Sequence, residues 1–449
     1  MGRNAVVVIG AGAAGLTAAI FAANAGAAVT LVDGQRRIGV KIRASGGGRC
    51  NILPSAVVPG DFWGEGAAAA FDRLQRRWPL EAIRSWFEVE LGLPLATEAT
   101  GKVFPASSRA DDVVDALLAA AERAGVVLRT GAAVTALRPI VSSTVSSTAS
   151  STASSTVGPA VNSTVGPAVS PTVTDLGPAG AALDVELADG AVLAGARVVV
   201  ATGGLSLPRS GSDGSGQRLA TGLGHRLAPC YPALVPLTIE DAELRDLAGV
   251  ALPVSLSVWQ GGAAIAEERG DLLVTHRGLS GPAVLQISRW LTQPSEPSQP
   301  PRKLRIHWGE ANWPALLADG QGGRRVGAAV RRVLPSRLAD RLVARAGVEP
   351  DDRLASMSRP KRARLLELLE RFEMRLSGSE GWRTAEVTAG GIVLADVNID
   401  GLGSRVVPGL HLAGEILDVT GRLGGYNFLW AWLSGRVAGE AAARPWLVG

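Results

Sequence analysis

The chain has 449 residues, 47% hydrophobic and 19% charged, which suits a globular protein of two or three domains and excludes a disordered or fibrous one. A formal net charge of +4 with an isoelectric point of about 9.5 permits an anionic partner without demanding one. Cys50 and Cys230 form no CxxC, and His225, His276, His307 and His411 form no HxxxH or HExxH, so neither a metal nor a redox-active dithiol is expected.

Arg3 followed by an apolar run from Ala5 to Val29 has the look of a secretion signal, but the run carries Gly10, Gly12 and Gly15 and continues into a second strand. No other stretch reaches the roughly 18 apolar residues a membrane span needs, and the two distant cysteines fit a reducing setting, so a cytoplasmic protein is expected. Ala5–Ile9 reads as a buried parallel strand, Ala13–Gly26 as an Ala-rich helix and Val29–Val32 as a second strand ending on Asp33. Helices are expected at Ala67–Arg77, Leu80–Leu91 and Ala110–Ala124, then strands at Val126–Arg129 and Ala132–Leu137. Residues 141–180 are Ser/Thr/Val/Pro/Gly-rich and repeat STVGPAV, the composition of a disordered surface-loop insertion. A hairpin-like pair, Leu183–Leu187 and Ala191–Leu193, runs into a strand at Arg197–Ala201. Leu234–Ile239, Val254–Trp259, Ala264–Glu268 and Leu272–Val274 alternate like antiparallel strands. From Ala311 to Leu376 the pattern is helical and Arg-rich. Parallel-type strands return at Val387 and Gly409–Ala413, before a helix from about Gly425 to Ala443.

Gly10-Ala11-Gly12-Ala13-Ala14-Gly15 is GxGxxG between strand and helix. Gly10 serves the tight turn, Gly12 the approach of a diphosphate and Gly15 the packing of helix on strand, while the helix N-terminus offers N–H donors. Asp33, 23 residues after Gly10, is placed to accept from ribose hydroxyls and disfavours a 2′-phosphate, which leaves FAD or NAD. Two further stretches decide between them. Lys41, Ser45, Gly46, Gly47, Gly48, Arg49, Cys50 and Asn51 form a second Gly-rich cradle with cations, which a plain NAD fold does not need. Near the end, Gly414-Glu415 closes a strand and Gly424-Gly425-Tyr426-Asn427 opens a helix suited to face the flavin edge where charge accumulates on reduction. The cofactor reading is FAD.

GAGAAGLTAA (10–19), SGGGRCN (45–51), ATGGLSLPRSGSDGSG (201–216), THRGLSGPA (275–283) and TAGGI (388–392) with GLHLAGEILDVTGRLGGYNFLWAW (409–432) together resemble the bacterial flavoprotein family typified by YhiN and BaiN. The resemblance spans nearly all of the chain except 141–180. It implies an α/β protein: a discontinuous Rossmann-like FAD-binding domain with an inserted β-barrel domain and a helical subdomain. The division expected is 1–205 for the first part of the FAD domain and 388–449 for the second. The β-rich insertion takes 206–310 and 377–387, and the helical insertion 311–376. Val134, Thr202, Gly203 and Gly204 join the cofactor-binding residues. GSDGSG, with its acid at Asp213, and Phe428-Leu429-Trp430 depart from the family pattern.

With no second GxGxxG after a strand, NADH or NADPH would visit the flavin only transiently. Cys50, His276 and Tyr426 are the candidate proton donors, each with a structural alternative: a buried filler, a surface histidine and a helix cap. Arg324, Arg325, Arg331, Arg332, Arg337, Arg341, Arg345, Arg359, Lys361, Arg362 and Arg364 form either a solvated helix face or a contact for a polyanion such as RNA. The resemblance implies hydride transfer from NAD(P)H through FAD to a conjugated C=C bond, in a uridine of ribosomal RNA or in a steroid-like small molecule. An amine-type oxidase using oxygen and a non-catalytic flavin-bearing RNA-associated protein stand as alternatives.

Overall fold

β-Branched residues dominate Ala5–Ile9 (β1), and a run apolar at every position suits a strand covered on both faces. In the computed structural model, which describes residues 4–140, 182–318 and 323–444, β1 is that strand. It pairs in parallel with Ala28–Asp33 (β2) on one side and Val192–Val200 on the other. Val127–Thr130 extends the sheet beyond β2, and Leu410–Leu412 extends it beyond Val192–Val200. The chain thus builds outward from β1 in one direction and returns much later on the other side. Such a reversal opens a crevice at the carboxyl ends of the strands, the place where ligands bind in open α/β sheets.

The two strands expected at Ala191–Leu193 and Arg197–Ala201 are one strand, Val192–Val200, which pairs antiparallel with Leu183–Leu187 before joining β1. A bulge between Leu193 and Ala196, with Gly195 in the left-handed region, lets it change partners. The tract 141–180 lies outside the described residues.

After β1, the helix Ala13–Asn24 (α1) is buried along most of its length because it packs on the terminal helix Tyr426–Ala442. Gly435 and Gly439 make the approach possible, since a Cβ at either would overlap the carbonyl oxygen of Ala14 or Ala18. Both ends of the chain therefore fill one core, drawn from Val6 to Ala220 and from Ile392 to Ala443.

A second core runs from Leu237 to Met374. Its frame is an antiparallel sheet in the order Phe372–Met374, Lys303–Trp308, Ala251–Gln260, Ala263–Val274, Gly278–Ser280, Leu237–Ile239, Leu376–Ser379. The strands at the two ends of this order are separated in the chain only by Arg375, so the one segment Phe372–Ser379 pairs with Lys303–Trp308 through its first half and with Leu237–Ile239 through its second. The segment expected to be helical holds the helices Val326–Arg331, Ser336–Arg345 and Arg359–Glu370 and ends in the strand Phe372–Met374. Val387–Ile392 was expected to be parallel and is antiparallel to Leu227–Ala233. That pair carries the chain between the cores, with Ala233, Leu234, Val387 and Ala389 packed together at the crossing.

Candidate functional site

The glycine turn after β1 is built by contacts that leave no room for side chains. Gly10 has φ 98° and donates to Val32 O at 2.8 Å, and a Cβ on it would stand 2.6 Å from Ala201 O. A Cβ on Gly15 would overlap Gly10 O, so this glycine seats α1 against the turn. Gly12 differs: a Cβ there meets nothing within 4 Å, because the space in front of it is open. Asp33 closes the turn from β2, accepting from Ala11 N–H at 2.6 Å and Gln35 N–H at 2.7 Å. Burial pushes its carboxyl above the usual range, and these two bonds offset only part of that rise. Each of its oxygens keeps a second lone pair for a ligand hydroxyl.

The open space is a cavity of about 650 Å³, within the range of small-molecule and cofactor sites. Gly10, Gly12, Ala13, Ala14 and Asp33 line it from the β1 side, and Val134, Thr202 and Gly203 from the neighbouring strand ends. Ser45, Gly46, Gly47, Arg49 and Asn51 supply a third wall, with Gly46 and Gly47 in the left-handed region that turns successive N–H groups toward an anion. The fourth wall comes from the far end of the chain: Gly414, Glu415, Gly424, Gly425 and Asn427. Neither α1 nor the helix Tyr426–Ala442 has a side-chain N-cap, so two helix N-termini bring uncapped donors to one cavity. Gly15, Gly48 and Gly204 stand behind the lining, Gly204 where a Cβ would overlap the Thr388 side chain.

Lys41 and Glu415 line the cavity and are joined to each other. Lys41 Nζ donates to Glu415 Oε2 and to Ser206 Oγ, the latter at 2.6 Å. Glu415 Oε1 accepts from Ser206 Oγ at 2.7 Å and from Thr388 N–H at 2.8 Å. Burial alone would raise this carboxyl, but the Lys41 charge and the hydrogen bonds outweigh it and hold it below the usual range. Arg49 pairs with Glu98 at 2.7 Å and lies over the Phe104 ring at 4.2 Å. The cradle's cations are thus fixed by the protein before any ligand arrives.

The three candidate proton donors fall outside the lining. Cys50 is fully buried at φ 59°, and burial pushes its thiol up to about 12 against a hydrogen bond to Ser45, which keeps it neutral. His276 is exposed in the turn between Val274 and Gly278. Tyr426 directs its hydroxyl to Ala56 O at 3.2 Å, outside the cavity wall. Sequence reading assigned no site role to several polar groups that line the cavity, Lys102, Glu386 and Arg422 among them, with Gln35, Arg37, Ser210, Ser212, Asp213 and Ser215. Glu386 opens into the cavity while protein surrounds its other sides; burial raises its carboxyl, and Lys102 and Lys41 oppose the rise. Lys102 reaches the site through the pairing of Lys102–Pro105 with Leu53–Pro54, a contact with no local signal. Arg422 had one, its place two residues before Gly424-Gly425.

Much of the Arg-rich segment is paired internally: Arg331 with Asp340, Arg341 with Glu243, Arg345 with Asp241 and Glu243, and Arg364 with Glu367. Among the described residues no group of three or more His, Cys, Asp or Glu is placed to hold a metal ion. No helix among them is long and apolar enough to cross a membrane.

The model of the HI0933-like protein Rossmann domain matches residues 4–174 and 162–441, nearly the whole chain. The chain belongs to this family. Two relatives of the family match end to end. One, named ribosomal RNA dihydrouridine synthase, from Escherichia coli (strain K12), is 33% identical over 97% of this chain and 96% of its own length. The other, named 3-dehydro-bile acid delta(4,6)-reductase, from Clostridium scindens, is 29% identical over 98% and 100%. Among solved structures, a 3-ketosteroid-delta4-(5alpha)-dehydrogenase from Rhodococcus jostii RHA1 is similar over 98% of this chain and 97% of its own, at 16% identity and a TM-score of 0.47.

Proposed function

We propose that the chain is an FAD-dependent oxidoreductase that reduces a conjugated C=C bond with hydride taken from NADH or NADPH. The observation that carries this is the convergence on one cavity of two uncapped helix N-termini, a left-handed glycine pair and Asp33. That donor set fits a long ligand with a diphosphate at its middle, and a ribose-bearing end beside Asp33. FAD, when bound, supplies the hydride chemistry. The first turn of α1 and the open face of Gly12 would hold its diphosphate, Gly46 and Gly47 its outer phosphate edge, and the N-terminus of Tyr426–Ala442 would stabilise charge gathered at the ring. The names of the two relatives, a dihydrouridine synthase and a delta(4,6)-reductase, support reduction of an unsaturated ring.

Saturating a C=C bond takes a hydride and a proton. Glu386 is the proton donor in this reading, since Asp33, Asp213 and Glu415 are held by other groups and Glu386 is protonated more readily than an ordinary carboxyl. Lys102 beside it would set how readily that proton leaves. The domain division follows the same logic, with residues 1–205 and 388–449 holding the cofactor and the intervening chain forming the roof over the substrate. A uridine of ribosomal RNA and a steroid-like molecule are the two substrate classes. Anaerobic mixing with NADH or NADPH tests the reaction: flavin absorbance bleaches with one of them, and bleaching with neither contradicts it. Mapping dihydrouridine in ribosomal RNA from a deletion strain then separates the classes, a lost modification assigning RNA and an unchanged map the small molecule.

A further inference from the structure

We infer that a second cavity, at the seam between the two cores, is a subsite for a single oxyanion carried by the substrate, with Arg289 as its receptor. The cavity measures about 500 Å³ and lies next to the first, because Arg422 lines both. Asp61 and Trp63 reach it from the first core, and Glu267, Glu268, Arg289 and Trp290 from the second. Gln286, Arg289 and Trp290 share one face of the helix Pro282–Thr292, being three and four residues apart. Gln286 fixes that face to the cofactor side by accepting from Leu423 N–H at 2.8 Å.

Charge in the cavity is unevenly matched. Arg422 reaches Asp61 at 3.4 Å and Glu268 at 3.3 Å, so its cation is already shared between two carboxylates. Arg289 has no hydrogen bond and no ion pair among the described residues, and its Nε is buried without a partner. Its guanidinium lies 3.5 Å from the centroid of the Trp63 ring and 4.4 Å from that of Trp290. Burial lowers its proton affinity to about 10, which still leaves it charged at neutral pH. Two aromatic faces hold the plane of a guanidinium but offset only part of the cost of taking it from water. A cation kept flat, largely dehydrated and without a direct ion pair, with Glu268 acting on it only at a distance, is pre-organised for a planar or tetrahedral oxyanion. Glu267, Glu268 and Asp61 also face the cavity and repel a polyphosphate, so the ligand group is one carboxylate or one phosphate monoester.

Assigning that anion to the substrate rests on the reading of the larger cavity as the redox site, but the test does not pass through turnover. Calorimetric titration of the purified flavin-loaded chain would compare uridine 5′-monophosphate with uridine, and a bile acid with its methyl ester. At least one charged member is expected to bind about tenfold or more tightly than its neutral partner, and which one does tells phosphate from carboxylate. Arg289→Gln is expected to bring the pair within about twofold while flavin content stays that of the parent. If that variant does not fold, Arg289→Lys, which keeps the charge and loses the fork, is expected to lower the preference at least about threefold. Equal binding within both pairs, or a preference that survives the folded variant, overturns the inference. Absence of flavin from the parent chain would instead refute the redox reading.

Discussion

Lys41 and Glu415 stand 374 residues apart in the chain and form one ion pair in the wall of the cavity. The pair ties α2, the short helix Val40–Ala44, to the loop after Leu410–Leu412, so the two chain ends that build the site are fastened where the ligand lies. Removing one partner leaves the other charge enclosed. Lys41→Met or Glu415→Gln alone is expected to cost about 3 kcal/mol in chemical denaturation, and the double variant less than the sum of the two. Additive losses would show that the two groups act independently.

Gly12 and Gly15 belong to one motif and predict opposite failures. A methyl on Gly15 overlaps Gly10 O, so Gly15→Ala is expected to lower stability by about 3 kcal/mol, with or without cofactor. A methyl on Gly12 projects into open space, so Gly12→Ala is expected to stay within about 1 kcal/mol of the parent without cofactor and to lose flavin binding. Thermal melts on flavin-stripped protein, followed by flavin titration, check both.

That contrast shows how far the sequence could be read. GxGxxG, Asp33 and the Gly46–Gly47 cradle announced themselves because each needs a particular residue type at a particular step along one segment. Lys41 and Glu415 were seen as ligands for the cofactor and do line the cavity; that they also pair with each other was not legible, because 374 residues separate them. Glu386 and Lys102 carried no motif, since long-range pairing brings them to the cavity. Cys50 was singled out for its glycine-rich setting with a buried filler as the other reading, and the structure buries it fully. The parallel sheet was readable from apolar runs, whereas the single bulged strand Val192–Val200 was not, because its exposed half and its buried half have different patterns.

Glu386→Gln separates proton delivery from hydride supply. The proposed acid must be protonated, so substrate reduction should be retained below its elevated folded-state pKa and fall as pH rises through it. The glutamine variant should lose this alkaline limb and about 100-fold or more in rate, with flavin reduction by the nicotinamide donor unchanged. A variant with the parent's pH profile would remove Glu386 from the mechanism.

His411 gives the fold a response to acid. It accepts burial as the neutral ring, bonded to Gly401 O at 2.9 Å, and burial lowers its pKa to about 4. A histidine depressed in the folded state contributes stability in full above its unfolded pKa and loses it as pH falls toward the folded one. The chain should therefore weaken by about 3 kcal/mol between about pH 6.5 and pH 4 on this account, and His411→Asn should flatten that part of the curve. Denaturant midpoints measured across the interval check the slope.

The central claim is the identity of the molecule in the large cavity, and the direct measurement is chromatography and mass spectrometry of what heat releases from the purified chain. FAD at one molecule per chain, absent from Gly12→Ala, is the predicted result. A nicotinamide dinucleotide in its place, or no nucleotide after the parent chain is incubated with FAD, would contradict it.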